Sequence, residues 1–238
     1  MINLMNQTLK QDNLDLNLTP YNVIALTTNT GGQPAGFIEC IPDATGLADI
    51  FKDYDSSVLK YLTDTKYKNS SDRMDKYIKS CAGYCIITYL LGIGDRHFDN
   101  LMMTKDGKIF HIDFGFILGR DPKPFPPPMK LSKEMMEPMV PGSAYHKQFK
   151  NYCFTAFLSL RRQSNLFLSI MQLMQSSDIP DIALEPEKCL LTVQQNFVLS
   201  KDEDQAVAHV QNLLDQSLNA VFAVMVEELH KLAMYFRR

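Results

Sequence analysis

Residues 94–115 read GDRHFDNLMMTKDGKIFHIDFG, and they constrain the fold more than any other stretch of this 238-residue chain. Asp106–Gly107 is a strong two-residue turn signal between the apolar runs Leu101–Met103 and Ile109–Phe114, which predicts a β-hairpin. With that turn as the loop, Lys105 opposes Lys108, Met103 opposes Phe110 and Asn100 opposes Asp113. A four-residue loop keeps the same pairing, whereas an odd-length loop breaks it. Directly opposed side chains share a face about 4.5–5.5 Å apart at Cβ, so one divalent cation could bridge Asn100 and Asp113. Mg²⁺ favours few protein oxygens completed by phosphate oxygens and water, and an Asp with an Asn suits an ion that arrives with a nucleotide.

Asp95 precedes Asn100 at the spacing of the protein-kinase catalytic loop, and Asp113-Phe114-Gly115 matches its D-F-G element. Here His97 follows the Asp instead of preceding it. D-F-G alone is weak. D-R-H-x-x-N, a hairpin and then H-I-D-F-G is far more specific.

On these residues the chain resembles the phosphatidylinositol 3- and 4-kinase family, and within it the class III 3-kinases. SCAGYCIITYLLGIGDRH (Ser80–His97), FGFILGRDPKPFPPPMKLSKEM (Phe114–Met135), IPDIALEP (Ile179–Pro186) and the terminal MYFRR (Met234–Arg238) carry the resemblance. It implies an α+β, mostly helical fold: the C-lobe of a protein-kinase-like domain with only the last part of the N-lobe. Residues 1–41 would end the N-lobe and enter the hinge. Residues 42–238 would form the C-lobe, with a catalytic loop at 94–100, an activation loop at 113–138 and a C-terminal amphipathic helix at 204–238. ATP and Mg²⁺ or Mn²⁺ are the implied cofactors. Glu39, Cys40 and Ile41 would sit at the adenine hinge, with Met102 and Ile112 on the pocket floor. The expected reaction is phosphoryl transfer to the 3-hydroxyl of phosphatidylinositol, in endosomal trafficking and autophagy. A regulatory protein-kinase-like subunit and a Beclin-type subunit are the implied partners. Phosphatidylinositol 4-kinase and a non-catalytic scaffold are the alternatives.

Asn100 and Asp113 are the expected metal ligands, and Asp95 or His97 the base that accepts the hydroxyl proton. Imidazole suits proton transfer near neutrality, whereas Asp95 keeps the protein-kinase spacing, and the choice stays open. Arg96 is expected to fix the loop. A phosphate-covering loop and a phosphate-contacting lysine are not identifiable ahead of the hinge, so the chain is expected to be a fragment inactive alone.

Five of the twelve prolines fall within Pro122–Pro128. Alone, such a run could serve as a polyproline ligand; directly after Asp113-Phe114-Gly115 it reads as a stiffened activation loop. Arg120, Lys123, Lys130 and Lys133 against Asp121 make that loop locally basic in a chain of net charge −3. A basic loop beside a phosphate-transfer site suits an anionic head group, and Arg120, Lys123 and Lys130 are the candidate contacts. The net charge offers no argument for nucleic-acid binding. Five cysteines without framework spacing suit a reducing compartment. No signal peptide or spanning segment is evident, which suits a soluble protein or one associated with a membrane from one side; the resemblance implies a cytoplasmic protein, peripheral on endosomal or autophagic membranes.

Ile2, Leu4, Met5 and Leu9 predict a helix under way at Met1, and Tyr21–Thr27 and Gly36–Ile41 read as strands about a turn-rich 28–34. Residues 46–62 read as helical, and Ser70 or Ser71 as the cap of a helix that is apolar nearly all round from Tyr84. Two helices are expected after Tyr145. Ser200 to Glu203 reads as a capping box ahead of a long helix or two joined by a bend. Tyr235, Phe236, Arg237 and Arg238 at its end suit a membrane interface with anionic lipid.

Overall fold

The computed structural model describes residues 1–26, 35–67, 69–124, 126–177 and 179–235, with side chains described as far as Val221 apart from Ser176, Pro180 and Asp181. Its helices are α1 (Ile2–Gln11), α2 (Leu47–Asp53), α3 (Val58–Thr63), α4 (Ser70–Leu90), α5 (Lys133–Met136), α6 (Ala144–Arg162), α7 (Ser164–Leu173), α8 (Pro180–Leu184), α9 (Pro186–Asn196) and α10 (Glu203–Tyr235). Strands β1 (Val23–Leu26) and β2 (Ala35–Ile38) form an antiparallel ribbon. Strands β3 (Ala44–Gly46), β4 (Leu101–Thr104) and β5 (Ile109–His111) form an antiparallel sheet in that order. The predicted α+β, mostly helical class holds.

Helix α4 is the axis of the core. Tyr77, Ile78, Cys81, Ala82, Tyr84, Cys85, Ile86, Ile87 and Leu90 are all buried along it, so it carries apolar groups on every side, as its sequence predicts. Fully burying such a side chain contributes about 1.5–3 kcal/mol, and the helix packs on α6 and β5. Gly83 is needed there: a Cβ would lie 2.7 Å from Leu18 Cδ2. All five cysteines are thiols outside any disulfide, with Cys81, Cys85, Cys153 and Cys189 buried.

Several local expectations change. The helix read across 46–62 is two helices, because Asp55 and Ser56 take left-handed φ of 52° and 58°. Ser57 then caps α3, accepting from Lys60 N at 3.0 Å, while its own hydroxyl donates to Glu137. The N-cap of α4 is Asn69, at φ 60°, and neither Ser70 nor Ser71. Asp202, not Ser200, leads into α10: its Oδ1 accepts from Gln205 N at 2.8 Å, and Glu203 is taken by Arg162. The long terminal run is one helix to Tyr235. The expected membrane contacts at Tyr235, Phe236, Arg237 and Arg238 fall outside the residues whose side chains are described. No described helix is long and apolar enough to cross a membrane.

The hairpin forms, but in a register one residue away from the predicted one. Leu101 pairs with His111, Met102 with Phe110 and Met103 with Ile109. The loop is therefore three residues, Lys105 to Gly107, closed by Gly107 N donating to Thr104 O at 2.9 Å with Gly107 at φ 93°. This is the tight turn followed by a left-handed glycine that three-residue hairpins favour. Thr104 is what makes the loop odd: its hydroxyl donates to Asp106 Oδ1 at 2.6 Å and accepts from Lys108 N at 3.0 Å. Arg73, buried on α4, adds a bond from Nε to Lys105 O at 2.9 Å. A Cβ on Gly107 would lie 2.4 Å from Arg73 O.

Candidate active site

Because of that register Asn100 faces Ile112, and Ile112 N donates to Asn100 O at 3.0 Å. Asn100 and Asp113 are not a cross-strand pair, which corrects the predicted geometry. Asp113 lies beyond β5 at φ 54°, where strand alternation no longer assigns its side chain a face. Pleat alternation does put Asn100, Met102 and Ile112 on one face of the ribbon, while Leu101, Met103, Ile109 and His111 are buried.

What joins Asp113 to the catalytic loop is Arg96. Its Nε donates to Gly94 O at 2.7 Å, Nη1 to Ile112 O at 2.7 Å and Nη2 to Asp113 O. The guanidinium also lies over the Phe114 ring at 5.4 Å. The expectation that Arg96 fixes the loop is met, since its donors go to main-chain carbonyls. Asn100 is held from the other side, Nδ2 donating to Asp95 O at 2.8 Å. That bond orients the amide and directs Oδ1 away from the loop carbonyl. Asp113 is exposed, and its Oδ1 accepts from Gly115 N at 3.2 Å. An amide oxygen and an exposed carboxylate are a donor set that fits a divalent ion completed by phosphate. Among the described residues no group of three or more His, Cys, Asp or Glu side chains could hold a metal without such help.

Asp95 and His97 come together. His97 Nε2 lies 3.8 Å from Asp95 Oδ2, and Nδ1 lies 3.5 Å from Asp99 Oδ2. The imidazole is thus flanked by two carboxylates, and Asp99 is a neighbour that the motif reading overlooked. Nearby, His111 is fully buried and stacks on Tyr84 at 4.7 Å. Burial, helped by the Arg96 charge, pushes its pKa down to about 3, so it stays neutral.

A cavity of about 270 Å³ opens between the catalytic loop and the proline-rich segment, lined by Arg96, His97, Asp121, Lys123, Lys130 and Pro126 among others. Two of the three expected head-group lysines and arginines, Lys123 and Lys130, meet His97 there; Arg120 does not line it. The organising residue is Asp121, which the sequence offered only as a stray negative charge. Its Oδ2 accepts from Lys130 Nζ at 2.9 Å and Asp95 N at 3.3 Å, and its Oδ1 from Lys123 N at 2.9 Å. Burial resists ionisation of this carboxyl, but Lys130 and the two amides outweigh it and hold the pKa below the ordinary range. Gly94 permits the approach: a Cβ would lie 2.2 Å from Arg120 O. Three backbone bonds continue the seam, Gly94 N to Phe116 O at 2.9 Å, Leu118 N to Leu91 O at 3.0 Å and Gly119 N to Gly92 O at 2.8 Å.

Of the expected hinge residues, Glu39 closes the β1–β2 ribbon. Its N–H donates to Asn22 O, and its carboxylate accepts from Asn22 N and Nδ2, each at 2.8 Å. Cys40 is exposed and Ile41 half-buried against the core.

A loop with the order D-R-H-x-x-N, a hairpin and a D-F-G turn are set against a helical lobe. The model of the family described as phosphatidylinositol 3- and 4-kinase matches residues 1–184, and the chain belongs to that family. The whole chain is 48% identical over 244 residues to phosphatidylinositol 3-kinase, nodule isoform, of Glycine max, of which it covers 29%. It is 48% identical to phosphatidylinositol 3-kinase VPS34 of Arabidopsis thaliana, covering 29% of that protein. It is 45% identical to the VPS34 enzyme of Saccharomyces cerevisiae, covering 27%. The chain therefore spans less than a third of the length of the curated relatives it matches.

Proposed function

We propose that this chain carries the catalytic machinery of a phosphatidylinositol 3-kinase, transferring the γ-phosphate of ATP to the 3-hydroxyl of phosphatidylinositol. The observation that carries the reading is the cavity lined by both His97 and Lys123, whose wall includes Arg96, the residue bonded to Asp113 O. Phosphoryl transfer asks little covalent chemistry of a protein; positioning and charge neutralisation supply most of the rate. Asn100 and Asp113 would hold the divalent cation, Mg²⁺ or Mn²⁺, whose chemical contribution is to offset phosphate charge. Arg96 keeps those two residues on a fixed frame. Cys40 and Ile41 line the hinge side of the adenine site, and Met102 and Ile112 its floor.

His97 is the proton acceptor in this reading, with Asp95 beside Nε2 and Asp99 beside Nδ1 to orient it and to stabilise the imidazolium that forms. The incoming inositol ring enters the cavity, and Lys123 meets its phosphodiester. Phosphatidylinositol presents that single phosphodiester charge, which matches a cavity whose second lysine is already paired with Asp121. The choice of the 3-hydroxyl, the endosomal and autophagic setting and the two regulatory subunits rest on likeness to the 3-kinases.

The test is lipid-kinase turnover in a protein carrying the whole kinase domain. Asp113→Ala and Asn100→Ala are expected to lower kcat by on the order of 10²–10³ or more, with product phosphorylated at position 3. Unchanged turnover removes the metal roles, and product phosphorylated at position 4 replaces the 3-kinase reading with the 4-kinase one.

A further inference from the structure

The Asp121–Lys130 pair lies inside the head-group cavity, and its side chains are only 6% and 13% exposed. The carboxylate is anchored there. Three donors from three places hold it: the Lys130 ammonium, the Lys123 amide and the Asp95 amide. A lysine in such a grip presents a neutral pair to an incoming phosphate. The attraction that an isolated ammonium would offer at this depth is cancelled by a carboxylate at hydrogen-bonding distance. Three of the five Arg96 N–H donors are committed as well, since Nε, Nη1 and Nη2 each serve a main-chain carbonyl. The cavity thus holds more basic residues than it offers effective positive charge.

We propose that Asp121 is a specificity-determining residue: by holding Lys130 in an internal ion pair, it makes the cavity select an inositol head group with only its phosphodiester over one bearing a further ring phosphate. The inference rests on the lipid-kinase reading for its biological meaning, but the charge balance it describes is a property of the cavity. Removing the carboxylate frees the Lys130 ammonium without moving it far, because the segment stays anchored by Met129, fully buried beside Lys130. A released ammonium in a partly desolvated site gains a charge-assisted hydrogen bond to a second phosphate, which a head group with one phosphate cannot use.

The experiment compares binding, by calorimetry to the full-length protein, of soluble glycerophosphoinositol (the monophosphate, a phosphodiester) and glycerophosphoinositol 4-phosphate (the bisphosphate). In Asp121→Asn the bisphosphate-to-monophosphate affinity ratio is expected to rise about tenfold. Asp121→Glu, which retains the ion pair, is expected to keep the wild-type ratio. In Asp121→Asn with Lys130→Met the pair is removed as a unit, a change that buried pairs often tolerate, and the ratio is expected to return to the wild-type value. A ratio unmoved in a folded Asp121→Asn protein overturns the proposal. So does a rise that persists in the double variant, or a tenfold loss of monophosphate affinity there, which would make Lys130 a direct phosphodiester ligand. Should Asp121→Asn fail to fold, the double variant alone decides by that last measurement. Binding is read without turnover, so a wild-type protein that makes no phosphorylated lipid would sink the kinase reading and leave this result standing.

Discussion

Arg96 and Asp113, 17 residues apart in the chain, are joined by a bond from the Arg96 guanidinium to the Asp113 carbonyl, with a second Arg96 nitrogen on Ile112 O at 2.7 Å. The bond fixes where the D-F-G segment leaves the hairpin. It uses the main chain and takes nothing from the exposed Asp113 carboxylate, whose Oδ1 accepts from Gly115 N. Arg96→Lys keeps the charge but loses the planar fork. The expected result is a fall in kcat of about tenfold or more in the whole kinase domain, with a smaller change in thermal midpoint, measured by lipid turnover and calorimetry.

At Gly94 the catalytic loop presses against Arg120 and Asp121, just ahead of the prolines. A methyl group there would sit 2.2 Å from Arg120 O and 2.9 Å from Asp121 Oδ2. Gly94→Ala must therefore push the two loops apart, at a cost of about 1–3 kcal/mol for overpacking. Thermal unfolding should show the loss. Turnover should fall more than the midpoint does, because the displaced amide is that of Asp95.

His111 predicts a pH dependence of stability. Burial and Arg96 hold its pKa at about 3, against an ordinary value of 6.5. Below pH 6.5 the unfolded chain takes up a proton that the folded chain refuses until about pH 3, so stability falls as the pH drops through that window and is level above it. The slope from this group approaches about 1.4 kcal/mol per pH unit. His111→Phe should flatten the change in urea midpoint between pH 7 and pH 5; an unaltered slope would remove His111 as its source.

Met129 is fully buried, its Sδ 3.8 Å from Cys85 Sγ on α4. It is the anchor that follows the prolines. Met129→Ala should cost about 2–5 kcal/mol, expressed first as opening of the adjoining segment. Limited proteolysis is expected to cut between Arg120 and Lys133 well below the global unfolding midpoint.

The local residue patterns already determined much of this protein. The apolar circumference of α4, the two helices after Tyr145 and the run into α10 follow from side-chain periodicity, which needs no partner to be read. The order D-R-H-x-x-N, hairpin, H-I-D-F-G marked the candidate site, because each of those residue types has few uses at that spacing. The register of the hairpin was decided elsewhere. A threonine hydroxyl wrapped around Asp106 and Lys108, and a buried arginine reaching from α4, made the loop odd, so Asn100 came to face Ile112 and the Asn100–Asp113 relationship passed to Arg96. Asp121 shows the same limit more sharply. Its partners are an amide two residues on, a lysine nine residues on and an amide 26 residues back, all in loops without period. Only the folded chain, with Gly94 bare enough to let two loops touch, turns that carboxylate from a surface charge into the centre of the cavity.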